Sequence, residues 1–538
     1  MAESPVPPTL SPPEAKGERI LDRQNWTILV LIVLANGALL WTAAHVGHSL
    51  GILAAAILFG FTNNCAFSLL HEAVHRKFDA ASSARNAWAG HIAAAFFPTS
   101  FTLQTALHLT HHRNNRSELE RFDYIGPDEK VPLKAMQWFT ILTGLYWLSI
   151  PLFWVLYAFV GGLVAWDRIM PQGSRFSRQT SAGEFLESAR KLPIGRIRIE
   201  LAMSLALQAS LFWLLDLSVM SWLACYFSFG LMWSSLQYAD HAFSRLDQHE
   251  GAWNLRVSGF TRALFLNYHD HLEHHRDPGI RWQDLPHHAG SGEKQHFLSM
   301  LYLMWRGPRL LPGSAQSAAR QGQLAWTTLA CHVVIFGAAF QLIYGLASAD
   351  FAATEVFYDV ALPLDAQAPF WPLWSAAYVS IGPLLLVAAL VLRNPERTLP
   401  YLAALVFQLV VGALCFLAFP VREMPVPVVE MSAVEGWLFA LADGINLSGN
   451  MMPSLHVTLA LSAAWAASAR LTLFWRIAIW SWALAICAST WLIRQHWLLD
   501  IAGGAALAIF TMGMVYPWLQ RTLARLEAEF RPEAARPC

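Results

Sequence analysis

The stretch LGILAAAILFGFTNNCAFSLL, Leu50 to Leu70, runs without a charged residue straight into HEAVH, His71 to His75. As a helix, an apolar run of that length crosses about 30 Å of hydrocarbon. Its C-terminal end then presents two imidazoles at i and i+4, on one face. The pairing predicts a membrane-spanning helix that carries a polar group at the rim of the bilayer. The same pairing recurs further along. His108-Leu-Thr-His111-His112 and His271-Leu-Glu-His274-His275 each lie at or just beyond the end of an apolar run.

The composition agrees with a membrane chain. Of 538 residues 55% are hydrophobic and 14% are charged, against about 25% charged in a soluble domain. Formal net charge is zero. No basic block or interleaved aromatic patch suggests nucleic acid, which is excluded as a partner. The six cysteines form no CxxC pair, and the five that lie inside apolar stretches read as small packing residues. The polar, Pro-rich start has no cleavage-type signal peptide, so the first span is expected to be retained.

Apolar runs predict spans over Trp26–Val46, Leu50–Leu70, Ile199–Leu217 and Val219–Leu236. A longer run, Ala135–Trp166, is broken at Pro151 and reads as one tilted span or a re-entrant pair. The Arg-rich stretch between Trp166 and Ile199 reads as a membrane-surface loop or amphipathic helix. Residues Gly307–Gln323, GPRLLPGSAQSAARQGQ, form the best domain boundary. Beyond it, six more spans start near Leu324, Phe370, Pro400, Val457, Leu473 and Ile501. The expected fold is an all-α integral membrane protein with two helical transmembrane domains, the second a six-helix bundle. The expected divisions are a polar tail over 1–24, domains over 25–306 and 324–518, a linker over 307–323 and a cytoplasmic tail over 519–538.

In the second half Arg393 and Arg397, Arg470 and Arg476, and Arg521 and Arg525 fall on one side. Asp350–Asp365 has no Lys or Arg, and Val421–Leu455 has only Arg422. The positive-inside rule puts the Arg-rich side in the cytoplasm. A multi-pass protein of a bacterial inner membrane is expected.

The histidine clusters need an explanation beyond packing. At this histidine content chance supplies roughly 0.03 HxxHH patterns per chain, and two are present. Many desolvated imidazoles with no metal would be costly. Zinc uses only about four ligands, whereas two irons need about ten donors and accept imidazole well. His71, His75, His108, His111, His112, His271, His274 and His275 nearly fill that requirement. His241, at the end of the Val219–Leu236 run, is the natural ninth. Gln237, one turn earlier, could support a bound water. Asp123, Asp240, Asn267, Asp270 and Glu273 read as groups around the ligands, the carboxylates orienting imidazoles. Glu72 is a weaker case. His45, His91 and His332 read as packing residues, and His269, His287 and His288 as solvated loop residues.

The boxes HEAVH, HLTHH and HLEHH, with Asn267-Tyr268 and the later Trp282-Gln-Asp-Leu-Pro286, resemble the membrane fatty acid desaturase and hydroxylase superfamily over roughly residues 25–290. The resemblance implies a non-haem di-iron centre on the cytoplasmic face, with O2 as co-substrate, that removes hydrogen from an unactivated C–H bond. It also implies an external electron donor, a ferredoxin or cytochrome b5-like protein. The spacing of the first box occurs in sphingolipid desaturases and carotenoid-modifying members, which leaves substrate open and does not separate desaturation from hydroxylation.

A second constellation lies in the C-terminal half. Met452-Pro-Ser-Leu-His456 opens one apolar run, and Ser489-Thr-x5-His496-x3-Asp500 precedes another. At a helix start Asp500 could hold one nitrogen of His496 and leave the other free to attack. His456 would protonate the departing oxygen. Ser454 and Ser489 could hold phosphate oxygens. Arg422 and Arg494, rare arginines on the translocated side, read as anion-binding residues, with a snorkelling role as the alternative for Arg494.

These residues resemble the type-2 phosphatidic acid phosphatase and vanadium haloperoxidase superfamily over roughly residues 324–518. The usual first motif with Lys and Arg-Pro is reduced to Pro420-Val-Arg422, Leu455 replaces a Gly and Thr490 an Arg. The pattern is closer to the inositol phosphorylceramide synthase branch, which transfers phosphorylated head groups between lipids. No metal is expected in this site. Together the halves predict a bifunctional lipid-modifying enzyme acting on membrane lipids. The alternatives are a single desaturase, or a carotenoid or sterol hydroxylase or ketolase, with a non-catalytic C-terminal module, and a transporter with metal sites.

Overall fold

A computed structural model describes residues 12–164, 181–290, 292, 294–312, 317–349, 357–446 and 449–530. The first half is built from α1 (Pro12–His45), α2 (Ser49–Val74), α3 (Ser83–Phe96), α4 (Phe101–Asn114), α5 (Val131–Leu142), α6 (Leu145–Val164), α7 (Ser181–Ala189), α8 (Ile194–Leu214), α9 (Val219–Ala239) and α10 (Phe297–Trp305). The second half contains α11 (Ala318–Ala349), α12 (Ile381–Leu392), α13 (Pro395–Ala418), α14 (Ala433–Gly444), α15 (Leu455–Ser468), α16 (Leu473–Leu492), α17 (Leu498–Phe510) and α18 (Tyr516–Glu529). Among the described residues nine helices are long and apolar enough to cross a membrane. The protein is an all-α membrane protein.

The HEAVH helix is central to the first half. α2 packs against both α1 and α9, burying Phe59, Leu69 and Leu70 against Tyr226 and Phe229. This burial removes apolar side chains from contact with lipid or water and fixes where α2 ends, which is where the first histidines stand. α3 and α4 begin at Ser82 and Ser100, whose hydroxyls accept from the N–H groups of Arg85 and Leu103 at 3.3 and 3.1 Å, satisfying N–H groups the helix leaves open.

The break expected at Pro151 lies elsewhere. Pro151 sits inside α6, and the chain turns by 92° between α5 and α6. Gly144, with φ +76°, makes the turn; a Cβ there would lie 2.7 Å from the backbone nitrogen of Leu231. Only glycine combines that φ with that close approach.

Other expectations shift at the edges. Asp22 and Asn25, at the border of the expected tail, are buried. Asp22 accepts from the N–H groups of Ala80 and Ala81 at 3.2 and 3.3 Å and from Arg281 at 3.0 Å. The tail's residues 1–11 lie outside the described residues, as do 165–180 of the Arg-rich stretch, 350–356 of the acidic loop and 531–538 of the C-terminal tail. In the expected linker, Arg309 and Leu310 pair in parallel with Tyr124 and Ile125, so this part is a strand anchored on the first half; residues 313–316 lie outside the described residues. The helix from Leu498 continues through a π-helical stretch, Thr511–Val515, to Glu529, well past the expected domain end at 518.

In the second half α15, the run expected near Val457, is only 14 residues long and is buried among α12, α13, α16 and α17. It approaches α17 closely because Gly504 has no side chain: a Cβ there would meet the carbonyl oxygen of Ser454 at 2.5 Å. Thr458 Oγ1 donates to the Gly504 carbonyl at 3.0 Å.

Candidate functional site

All nine expected histidines converge, in two groups. One nitrogen each from His71, His75, His108, His112 and His274 lies within 4.8 Å of the others, and so do those of His111, His241, His271 and His275. The sequence geometry explains the split. His108 and His112 share one face of α4, and His111 points to a neighbouring face. In the short helix His271–Arg276, His274 joins the first group, and His271 and His275, four apart, join the second.

The nitrogens aim at one another. Nε2 of His108 lies 2.8 Å from that of His75 and 3.0 Å from that of His112, which is 3.1 Å from that of His274. Nε2 atoms of His241 and His271 are 3.1 Å apart. A ring nitrogen has a single in-plane direction, used as N–H or as lone pair, so shared protons cannot satisfy the whole set. Nε2 of His71 and of His275 has no hydrogen-bond partner among the described residues. Imidazoles ligating one ion at about 2.1 Å would bring neighbouring nitrogens to about 3 Å, and the donor set therefore fits metal.

Burial also keeps these rings in the ligating, neutral form. It pushes His75 down to about 4, with help from the charge of Lys77, and His112 down to about 2, with help from His111, His75 and His249. His108, His241, His271, His274 and His275 are lowered for the same first reason, then by neighbouring imidazoles.

The outer nitrogens of the second group are held. His111 Nδ1 lies 2.7 Å from Glu120 Oε2, His241 Nδ1 donates to the Gly251 carbonyl at 2.9 Å, and Asn115 Nδ2 lies 3.3 Å from His275 Nδ1. The Glu120 carboxylate and the Gly251 carbonyl accept the Nδ1 proton of their imidazoles, which fixes ring direction and raises basicity. Neither Glu120 nor Asn115 stood out in the sequence; the only signal was a run of polar residues directly after the second box.

The residues expected in that orienting role are engaged elsewhere. Asp123 pairs with buried Arg116 at 2.6 and 2.9 Å and accepts from Tyr238 and from the Phe243 N–H. Asp270 takes Arg262 at 2.8 Å and Lys294 at 2.6 Å. Glu273 takes Asn254 and Arg276, and Asn267 donates to the Trp282 carbonyl. Asp240 faces His269 at 3.9 Å. His269 itself is 2% exposed, not the solvated loop residue expected, because the chain folds it under the third box. Gln237 accepts from Tyr268 Oη at 2.6 Å.

Gln237 also lines a cavity of about 470 Å³ that begins at His108, His111 and His241. It continues between Ile150, Phe153, Trp154 and Phe185, and the bend between α5 and α6 helps to shape it. Its lining is mostly apolar, with Gln104, Gln137 and Ser149 among its polar groups.

A second polar site lies at the start of α15. His496 Nδ1 is 3.5 Å from Asp500 Oδ2, and the rings of His456 and His496 are 6.3 Å apart. Asp500 is pinned by the Trp497 N–H on Oδ2 at 2.9 Å, and its backbone carbonyl accepts from Ser454 N at 3.0 Å. His456 stacks on Tyr378 at 3.8 Å, a contact the sequence did not suggest. Nε2 of His456 and Oγ of Ser454 are buried without hydrogen-bond partners among the described residues. A cavity of about 570 Å³ runs from His456 between α11, α12, α13 and α15, lined by Phe336, Phe340, Leu385, Leu405 and Leu459.

The expected phosphate contacts are not all brought together. Arg494 donates to the carbonyls of Ala368 at 2.5 Å and Pro425 at 3.3 Å, crosslinking two loops. Ser489 Oγ donates to the Ile486 carbonyl in its own helix. Arg422 is exposed, and its backbone carbonyl accepts from Trp497 Nε1 at 2.7 Å.

Residues 47–293 match the fatty acid desaturase family and residues 364–514 match the PAP2 superfamily. Neither the curated proteins nor the solved structures yielded a match. The chain is therefore a fusion, with a fatty acid desaturase segment in its N-terminal half and a PAP2 superfamily segment in its C-terminal half.

Proposed function

We propose that this protein is a bifunctional membrane enzyme that oxidises a lipid chain in one half and cleaves or moves a phosphorylated lipid head group in the other. One observation carries the reading: nine histidines divide five and four into two convergent groups, and three of them, His108, His111 and His241, line a largely apolar cavity. Its lining, with Phe67, Phe122, Phe153 and Trp154, suits a hydrocarbon chain, with the reacting carbons held beside His108, His111 and His241.

His71, His75, His108, His112 and His274 would hold one iron, and His111, His241, His271 and His275 the other. Bound iron supplies O2 activation and hydrogen removal from an unactivated C–H bond. Desaturation removes two hydrogens from the chain and reduces O2 to two waters, drawing two electrons from a separate donor and two protons. Glu120 and Gly251 keep two imidazoles aimed, and the cavity wall excludes bulk water from the chain. The electron donor is a ferredoxin or cytochrome b5-like protein.

In the second half the free nitrogen of His496 attacks phosphorus while Asp500 orients the ring. His456 protonates the leaving oxygen as the P–O bond breaks. Water then releases phosphate, or a lipid hydroxyl takes the head group, as in the inositol phosphorylceramide synthase branch. The cavity leading from His456 accommodates the lipid tail.

Comparative lipidomics of membranes bearing the wild type, His274→Ala and His496→Ala tests the pair. His274→Ala should abolish the oxidised chain, read as loss of two hydrogens for desaturation or gain of one oxygen for hydroxylation. His496→Ala should abolish head-group release. The commitment of Arg494 and Ser489 to backbone carbonyls favours a second reading, a C-terminal half without catalysis. An unchanged phosphate profile in His496→Ala would select it.

A further inference from the structure

The end of the C-terminal bundle returns to the N-terminal half. α18 packs on α13 within its own bundle, yet Phe530, just after it, meets Trp253 edge-on, with ring centroids 6.1 Å apart. Phe530 also packs on the buried cluster that contains Trp138, Phe243 and Met300. One turn earlier Glu527 pairs with Arg306 at the end of α10, and Arg306 reaches Glu396 with its other nitrogen at 2.5 Å.

Both contacts lead to His241. The Trp253 N–H donates to the Asp240 carbonyl at 2.7 Å and its indole to the Ala242 carbonyl at 2.9 Å. Trp253 thus grips the residues on either side of His241. Two positions before Trp253, the Gly251 carbonyl takes the His241 Nδ1 proton. Two positions after it, Leu255 and Arg256 pair in parallel with Gln295 and His296, which run directly into α10. Phe530 therefore presses on the loop itself, and Glu527 holds the helix to which the loop is tied.

We propose that Phe530 and Glu527 are positioning residues for the metal centre: the C-terminal half sets the aim of His241 and so completes the four-histidine group. This rests on the di-iron reading. The four-histidine group has one donor fewer than its neighbour, so a misdirected imidazole there leaves three, and that position is the one that should weaken.

The experiment uses the full-length chain. Iron per chain and Mössbauer spectra are recorded after reconstitution for the wild type, Phe530→Ala, Phe530→Leu and the double variant Phe530→Ala/Glu527→Gln, with His274→Ala as control. The expected result is two irons in the wild type and about tenfold or greater weakening of one of them in Phe530→Ala. The spectrum of the other iron should be kept, the affinity restored in Phe530→Leu, and lipid phosphate release unchanged. Two irons of wild-type affinity and spectrum in the double variant overturn the proposal. Equal loss of both irons also overturns it, in favour of general packing. A wild type that takes up no iron instead sinks the di-iron reading itself, before any variant is compared.

Discussion

Glu120 is the carboxylate whose loss tells most about the site. Its Oε2 lies 2.7 Å from His111 Nδ1, and it lines the apolar cavity beside the ring it holds. Replacing it by Ala leaves His111 free to rotate and its outer nitrogen without an acceptor. The expected outcome is a 10–100-fold loss of iron affinity, with Glu120→Gln falling between that and wild type, measured by competition with a chelator. Wild-type affinity in Glu120→Ala would show that His111 needs no such partner. The nine imidazoles were legible in the sequence because ligation demands a spacing, and spacing is written in the chain. Glu120 was not, since its partner is nine residues away across a turn. The carboxylates that sequence favoured, Asp123 and Asp270, lie near the boxes in sequence but face Arg116, Arg262 and Lys294. A desolvated carboxylate near a guanidinium gains more from that charge than from a neutral imidazole.

At the scale of the helix, the turn between α5 and α6 decides the shape of the cavity. Helix interiors within a bilayer tolerate proline when packing satisfies the freed carbonyl, and Pro151 inside α6 is such a case. Gly144 has no such latitude, because its left-handed φ and the adjacent Leu231 backbone both exclude a side chain. Gly144→Val is therefore expected to lower thermal stability in detergent by several degrees and to reduce chain oxidation, whereas Pro151→Ala should change neither by much. Matching losses in the two variants would reverse the assignment of the bend. Apolar length located the cores of the long spans, since burial in lipid requires a fixed run, although α1 begins at Pro12, well before the expected Trp26. It could not rank Pro151 against Gly144, because that choice rests on the approach of α9, a contact remote in sequence. Nor could it reveal that α15, at 14 residues, is enclosed by its neighbours.

For the whole molecule, the direction of each helix places the two sites. His241 follows the C-terminal end of α9, and Phe530 touches the same region through Trp253. From Phe530 the chain runs back along α18 and α17 to Asp500, on the order of 45 Å away at 1.5 Å per residue. His456 and His496 therefore stand at the opposite end of the helices from the nine histidines. Arg393, Arg397, Arg470, Arg476, Arg521 and Arg525 all fall at or near the histidine-rich end. If that end faces the cytoplasm, a lipid oxidised in one leaflet must cross the bilayer before the other half can act on its head group. Labelling tests the orientation directly. Leu246→Cys, in an exposed loop near His241, and Val428→Cys, fully exposed near Arg422, are introduced singly into the chain. In right-side-out vesicles an impermeant maleimide should modify Val428→Cys at once and Leu246→Cys only after the membrane is opened. Labelling of both from outside would place the two sites in one leaflet and make direct transfer between them feasible. The reverse pattern would put the iron end outside, away from any cytoplasmic electron donor, and would remove the basis for oxidation by the first half.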